Sequence, residues 1–277
     1  MDFSGDDWRG RVGKGWATEW ERTDRSFAGL TGQLVDAAIA ALPTGSGDRL
    51  HFLDIGCGAG ETTIALADAR PNADATGLDL SADLVAVAQD RASGRINCHF
   101  VEGDATAWRG DVPFDAALSR HGVMFFSDPV AAFAHLRSLM KPGAPLVFSC
   151  FRDRSENLWA SEATRLLNTP PPTDPDAPGP FAFANVARVT SIMNLAGWHD
   201  IRPTPVDFAY VAGAGEDPVA DALSYFSRIG PAAPLIAAMP DQERTVFRTR
   251  FAEVLAAQVK DGVVSFPAAA WIWQAQA

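Results

Sequence analysis

The stretch LDIGCGAG, residues 53–60, decides how this chain is read. An apolar run, RLHFLDI (49–55), enters a turn with three alternate glycines and leaves it into ETTIALADAR (61–70), a helix stopped by Pro71-Asn72. A strand that turns through glycine into a helix is the opening unit of an open parallel sheet. Its turn lies at the carboxyl edge, where such sheets bind ligands. Glycine supplies positive φ and lets a ligand approach the backbone. The helix that follows offers free N–H groups to an anion.

The alternation continues outward. ADATGLDL (73–80) reads as a strand, and Ser81 as the N-cap of a helix to about Arg91. INCHFVEGD (96–104) and FDAALSR (114–120) are further strands. Asp128 followed by Pro129 opens a helix with Phe133, Leu136 and Met140 on one face, ended by Pro142-Gly143. PLVFSCF (145–151) is a fifth strand. Nearly continuous apolar strands alternating with helices predict a parallel sheet covered on both faces. Upstream, Trp16, Trp20, Phe27 and Leu30 precede a helix, LVDAAIAAL (34–42), closed by Pro43 and the loop TGSGD.

After residue 151 the rhythm breaks. LWASEATRLL (158–167) is helical, and TPPPTDPDAPGPFAF (169–183) is too proline-rich for helix or central strand, so it reads as a surface loop or part of a lid. A helix over 186–196 and a strand over 199–209 follow, then helices over 218–230 and 241–262, then a closing strand, VVSFPAAAWIWQAQ (263–276), with Trp271 and Trp273 on one face. The expected organisation is a single domain over 1–277: a helical cover (1–49), a cofactor-binding core (50–151), and lid or substrate insertions (152–185 and 210–262).

Bulk properties narrow the function. The 277 residues carry a net charge of −11 and no Lys/Arg run longer than two, which disfavours nucleic acid. No apolar window is long enough for a membrane span, and MDFSGDDWRGRVGKGW has no apolar signal core. Cys57, Cys98 and Cys150 are too scattered for a disulfide framework or a zinc site. The expectation is a cytoplasmic protein with reduced thiols and no membrane partner.

Three ligand classes compete for the glycine turn. A phosphate-binding loop needs Gly-Lys-Ser/Thr after the turn, and no lysine stands there. A dinucleotide fold wants G-x-G-x-x-G, whereas this chain has G-x-G-x-G with Glu61 next, and Asp54 would set a carboxylate beside a pyrophosphate. S-adenosylmethionine carries an amino group, a carboxylate and a sulfonium but no phosphate, which suits an acid near backbone N–H groups. Asp79 ends the second strand about 20 residues beyond the last glycine, where a carboxylate accepts ribose hydroxyls in nicotinamide enzymes too. Asp104 ends the third strand, placed to accept from an adenine amino group with the Ala105 backbone beside it.

With LDIGCGAG, GLDLS, VEGDA, SRHGVMFFSDPVAAFAHLRSLMKPGAPLVF and PPTDPDAPGPFAF in hand, the chain resembles the class I S-adenosylmethionine-dependent methyltransferases. The nearest group is the bacterial small-molecule enzymes similar to the ubiquinone/menaquinone-biosynthesis type. The resemblance implies an α/β, Rossmann-like, seven-stranded sheet, mostly parallel with an antiparallel last strand and helices on both faces. It places Asp54, Gly56 and Gly58 in the cofactor loop, Asp79 and Leu80 at the ribose, Asp104 and Ala105 at the adenine, and Ser119 after strand four. Ala144-Pro145 departs from the family pattern at the entry to strand five. The implied cofactor is S-adenosylmethionine, the implied partners a small-molecule acceptor and a second copy of the chain in a homodimer, and no metal.

Methyl transfer is an in-line displacement that mainly requires alignment and exclusion of water. Just past strand four, His121 reads either as a general base or as a packed histidine, and Arg120 either as a binder of an anionic substrate or as a structural ion-pair partner. Trp16 and Trp20 read either as folding over the cofactor or as core packing. Phe125, Phe126, Phe151, Trp159, Phe181, Phe183, Tyr225 and Phe226 suggest an apolar pocket. His51, His99, His135 and His199 read as structural. Competing readings are another reaction on the same cofactor, such as cyclisation of its aminobutyrate chain, a non-catalytic adenosyl-binding module, and a nicotinamide dehydrogenase.

Overall fold

Five short parallel strands and one long antiparallel pair organise the chain. A computed structural model describes residues 5–42, 49–169 and 174–277. The loop expected at 43–48 and the prolines at 170–172 lie outside the described residues. Strands β1 (His51–Ile55), β2 (Asp74–Asp79), β3 (Cys98–Glu102), β4 (Ala116–Arg120) and β5 (Pro145–Phe151) run parallel. With β6 (His199–Gly213), β7 (Val259–Lys260) and β8 (Val263–Gln276) they form one eight-stranded sheet, ordered β3-β2-β1-β4-β5-β8-β6, with β7 paired to β8. The closing strand β8 is antiparallel to both neighbours. The strand order turns back between β1 and β4, and ligands bind at the carboxyl ends of strands at such a point.

Helices α1 (Gly5–Arg9), α2 (Arg11–Thr18) and α3 (Trp20–Ala40) precede the sheet. Alternating with the strands are α4 (Glu61–Ala69), α5 (Ala82–Arg91) and α6 (Pro129–Ser138). The expected caps are made: Ser81 Oγ accepts from Leu84 N at 3.3 Å, and Asp128 from Ala131 N at 3.0 Å. All seven residues of β5 are buried, as a central strand covered on both faces must be. Phe27, Leu30 and Leu34 form the buried face of α3, spaced as one side of a helix.

The second half holds α7 (Leu158–Leu166), α8 (Val186–Leu195), α9 (Pro218–Phe226), α10 (Ala233–Ala238) and α11 (Asp241–Ala256). Here the sequence reading needs correction. The helix expected to reach Gly230 ends at Phe226, and a separate helix, α10, follows the turn. The helix expected to reach Gly262 ends at Ala256, because residues 259–260 pair back on β8 through a turn at Asp261 (φ 51°) and Gly262 (φ 79°). β6 runs past residue 209 to Gly213, because β8 supplies hydrogen-bonding partners along its whole length. No described helix is long and apolar enough to cross a membrane.

Candidate active site

The glycine turn is strapped to the neighbouring strand. Gly56 and Cys57 donate their N–H groups to Leu78 O at 2.8 and 3.1 Å. Gly58 donates to Asp79 Oδ2 at 2.9 Å, and Ser81 N donates to Asp79 Oδ1 at 2.9 Å. Burial raises the Asp79 carboxyl above its usual range, with those N–H groups opposing the shift. Gly56 has φ 66° and Gly58 φ 55°. Nothing stands within 4 Å of where a Gly58 side chain would begin, so the backbone lies open there. A Cβ on Gly122 would stand 2.7 Å from Ile55 O and 3.1 Å from Gly56 Cα. The loops after β1 and β4 therefore touch, glycine against glycine.

Asp54 and Ser119, which the resemblance places at the cofactor, act from behind the turn instead. Neither lines the cavity. Asp54 is fully buried, and its Oδ2 accepts from Thr62 and Thr63 hydroxyls at 2.6 Å each. Its Oδ1 has no hydrogen-bond partner among the described residues. Burial pushes its carboxyl up to about 6, against the pull of the two threonines and Arg120. Ser119 Oγ donates to Ile55 O at 2.7 Å and accepts from Gly122 N at 3.2 Å. Both side chains shape the loops that the ligand meets. Their hydrogen-bonding capacity is directed inward because β1 and β4 lie in the middle of the sheet.

A cavity of about 320 Å³ runs along the carboxyl edge, within the size range of small-molecule sites. One end is walled by Asp79, Leu80, Asp104 and Ala105, the centre by Gly56 and Gly58, and the other end by aromatic rings. Asp104 is partly exposed. Some desolvation works against it, but hydrogen bonds from Thr106 N at 2.9 Å and Thr106 Oγ1 at 2.7 Å, with Arg9 at 3.7 Å, hold its carboxyl below the usual range. Helices α1 and α2 roof the cavity. Trp8 lies 5.7 Å from Trp16 and 5.1 Å from Phe125, ring centre to ring centre, and all three line the space.

Arg120 and His121 share the cavity wall but differ in kind. Arg120 is ion-paired with Glu61 and with Asp24 at 3.5 Å, and donates to Thr31 Oγ1 at 2.8 Å. It ties β4 to α3 and α4, and its charge is compensated. His121 adopts φ 61° and is 7% exposed. Its ring stacks on Phe151 at 4.0 Å and 16°. Neither ring nitrogen makes a hydrogen bond among the described residues. Burial first, then the nearby Arg120 charge, lower its pKa to about 3. The imidazole is therefore neutral at physiological pH and a weak base.

Of the aromatics expected near the mouth, Phe125, Phe126, Phe151 and Trp159 line the cavity, whereas Phe181, Phe183, Tyr225 and Phe226 pack behind it. Sequence reasoning missed Trp8, Phe27, Tyr210 and Gly122, which do line it. Phe27 and Tyr210 carry the same periodic signal as core residues, so nothing local sets them apart. The other four histidines stay out of the wall, and His135 Nε2 is bonded to Trp108 O at 2.7 Å. Among the described residues no three His, Cys, Asp or Glu side chains gather as a metal site would require.

The chain is similar to known proteins in sequence and in fold. Residues 52–143 match the family model of a methyltransferase domain. Over these residues the chain carries a methyltransferase domain. A malonyl-[acyl-carrier protein] O-methyltransferase of Paenibacillus sp. (strain JDR-2) is 28% identical over 127 residues, covering 44% of this chain and 46% of that protein. A trans-aconitate 2-methyltransferase of Escherichia coli O139:H28 is 34% identical over 92 residues, covering 33% and 35%. The chain thus spans about half the length, or less, of the curated relatives it matches. Among solved structures, phosphoethanolamine N-methyltransferase 2 of Haemonchus contortus in complex with S-adenosyl-L-methionine superposes with a TM-score of 0.57 at 16% identity, covering 99% of this chain and 60% of that one. The matched segment stops at residue 143, just before β5. The aromatic end of the cavity draws on Phe27, Phe151, Trp159 and Tyr210, all outside the matched segment.

Proposed function

We propose that this protein transfers a methyl group from S-adenosylmethionine to a small-molecule acceptor. The observation that carries the proposal is one continuous cavity with two unlike ends, acidic strand ends at one and stacked aromatic rings at the other, with an open glycine turn between them. Asp79 is placed to accept ribose hydroxyls, Asp104 and the Ala105 backbone to meet the adenine edge, and the open backbone at Gly58 to admit the amino-acid portion. When bound, S-adenosylmethionine supplies a methyl carbon activated by a sulfonium leaving group. The chain's own residues do the rest. Trp8 and Trp16 close the roof and exclude water, Leu80 packs against the ligand, and the His121–Gly122 turn separates the two ends. The three buried free thiols support a reducing, cytoplasmic setting.

Calorimetric titration with S-adenosylmethionine, S-adenosylhomocysteine and NAD tests this reading. The expected result is micromolar binding of both adenosyl ligands and no heat from NAD. Asp79→Asn in the same titration lowers adenosyl affinity by about 1–3 kcal/mol, as for a lost hydrogen bond to a charged group. Binding of NAD alone, or unchanged affinity in a folded Asp79→Asn protein, overturns the assignment.

A further inference from the structure

The aromatic end of the cavity is a closed ring of side chains. His121 contacts Phe151 at 4.0 Å, Phe151 contacts Trp159 at 5.0 Å, and Trp159 stacks on Tyr210 at 4.7 Å and 10°. Tyr210 meets Phe27 edge-on at 5.5 Å, and Phe27 returns to His121 at 5.1 Å. All five rings line the cavity. They come from α3, the β4 loop, β5, α7 and β6, so the ring exists only in the folded chain.

Three polar groups sit in this ring, all uncharged, and one of them, the Trp159 Nε1–H, donates to Asn157 Oδ1 at 3.2 Å. The Tyr210 hydroxyl donates to Tyr225 Oη at 3.3 Å, and burial pushes its pKa well above the ordinary value. His121 is neutral, and its nitrogens have no hydrogen-bond partner among the described residues. A buried polar group without a partner costs free energy that a bound ligand recovers by supplying one. Arg120 and Arg228, two of the arginines that line the cavity, are already ion-paired. Arg120 and Asp24 are paired, the latter also with Arg91 at 2.7 Å. Arg228 is 55% exposed at the rim and bound to Glu19, and Arg11 is exposed on α2. A carboxylate set against the five rings would leave water, and the cation in contact with them, Arg120 over Phe27 at 5.1 Å, is already ion-paired.

Resting on the methyltransferase reading above, we infer that the acceptor is uncharged and ring-bearing, seated against the wall formed by Phe27, Phe151, Trp159 and Tyr210 with a polar group hydrogen-bonded to His121. His121 is then a positioning group for the acceptor and not its base. This separates the protein's acceptor class from trans-aconitate, the carboxylate named for one relative.

The test is calorimetric titration of the full chain saturated with S-adenosylhomocysteine, using 2-naphthol, 2-naphthoate and trans-aconitate as probes. The expected result is 2-naphthol binding at least about 10-fold tighter than either carboxylate, in line with the cost of desolvating an unpaired charge. His121→Phe keeps the ring stack and S-adenosylhomocysteine affinity but weakens 2-naphthol by about 5- to 10-fold, the worth of one hydrogen bond. Equal or tighter binding of a carboxylate overturns the proposal, as does no 2-naphthol binding to the loaded protein; either leaves the methyltransferase reading standing. Failure of S-adenosylhomocysteine itself to bind overturns both. The probe comparison on the unaltered protein decides the matter even if the variant does not fold.

Discussion

At the glycine turn and the loop after β4, burial drives an acid and a base alike toward their uncharged forms. Asp54 titrates at about 6 and His121 at about 3. For Asp54 the folded pKa lies above the unfolded one. Its contribution to stability is full below the unfolded value near 4 and is lost as pH rises through 6. For His121 the folded pKa lies below the unfolded value near 6.5. Its contribution is full above 6.5 and is lost as pH falls toward 3. The wild-type protein should therefore lose up to about 1.4 kcal/mol per pH unit from this histidine on acidification, part of it offset by Asp54 between pH 6 and 4. Thermal or urea unfolding of wild type and His121→Phe from pH 7 to 4 isolates the histidine. The variant should lose less stability on acidification than wild type, and parallel curves would show that the ring is charged or exposed in the native state.

Among elements, the decisive joint is the one between β4, α3 and α4. Arg120 leaves the end of β4 and meets Asp24 and Thr31 on α3 and Glu61 at the start of α4. Burial pushes the Glu61 carboxyl up while Arg120 holds it down, so the pair stands or falls together. Arg120→Met leaves Glu61 without its partner, whereas Asp24 keeps Arg91. The expected loss is about 2–3 kcal/mol, below the full cost of an orphaned buried charge because Glu61 remains 22% exposed. The double variant Arg120→Met/Glu61→Gln should recover part of that loss in urea unfolding. Equal losses in single and double variants would mean that Arg120 acts by packing on Phe27, over which its guanidinium lies at 5.1 Å, and not by charge. The sequence offered two readings of Arg120, and the structure places it in this joint because the topology sets β4 beside α3 and α4.

At the scale of the molecule, a rigid sheet edge carries a cavity roofed by short helices. α1 has no buried residue and α2 buries only Gly13, whose Cα faces Ser81 at the end of β2 too closely for any side chain. Helices with so little buried surface open at low free-energy cost. Hydrogen exchange on the full chain should show amides in residues 5–18 exchanging quickly without ligand and slowing on addition of S-adenosylhomocysteine, while β1 and β5 change little. Unchanged exchange in 5–18 in a protein shown to bind would mean that the roof is not part of the binding step.

What the sequence determined by itself was the order of elements and the acidic side of the cavity. β5 at 145–151, β8 at 263–276, the Ser81 and Asp128 caps, and the Gly56, Gly58, Asp79 and Asp104 positions were all legible, because strand period, capping and glycine turns are written within a few residues of chain. The ends of α9 and α11 were not, because what the chain packs against next sets where a helix yields to a turn, α9 into α10 and α11 into the hairpin of β7 with β8. The ring of Phe27, His121, Phe151, Trp159 and Tyr210 was hidden for the same reason. Each member looks like an ordinary core residue in its own segment. Only the packing of α3, α7 and β6 around the end of β4 decided which apolar side chains meet at the cavity wall and which pack behind it.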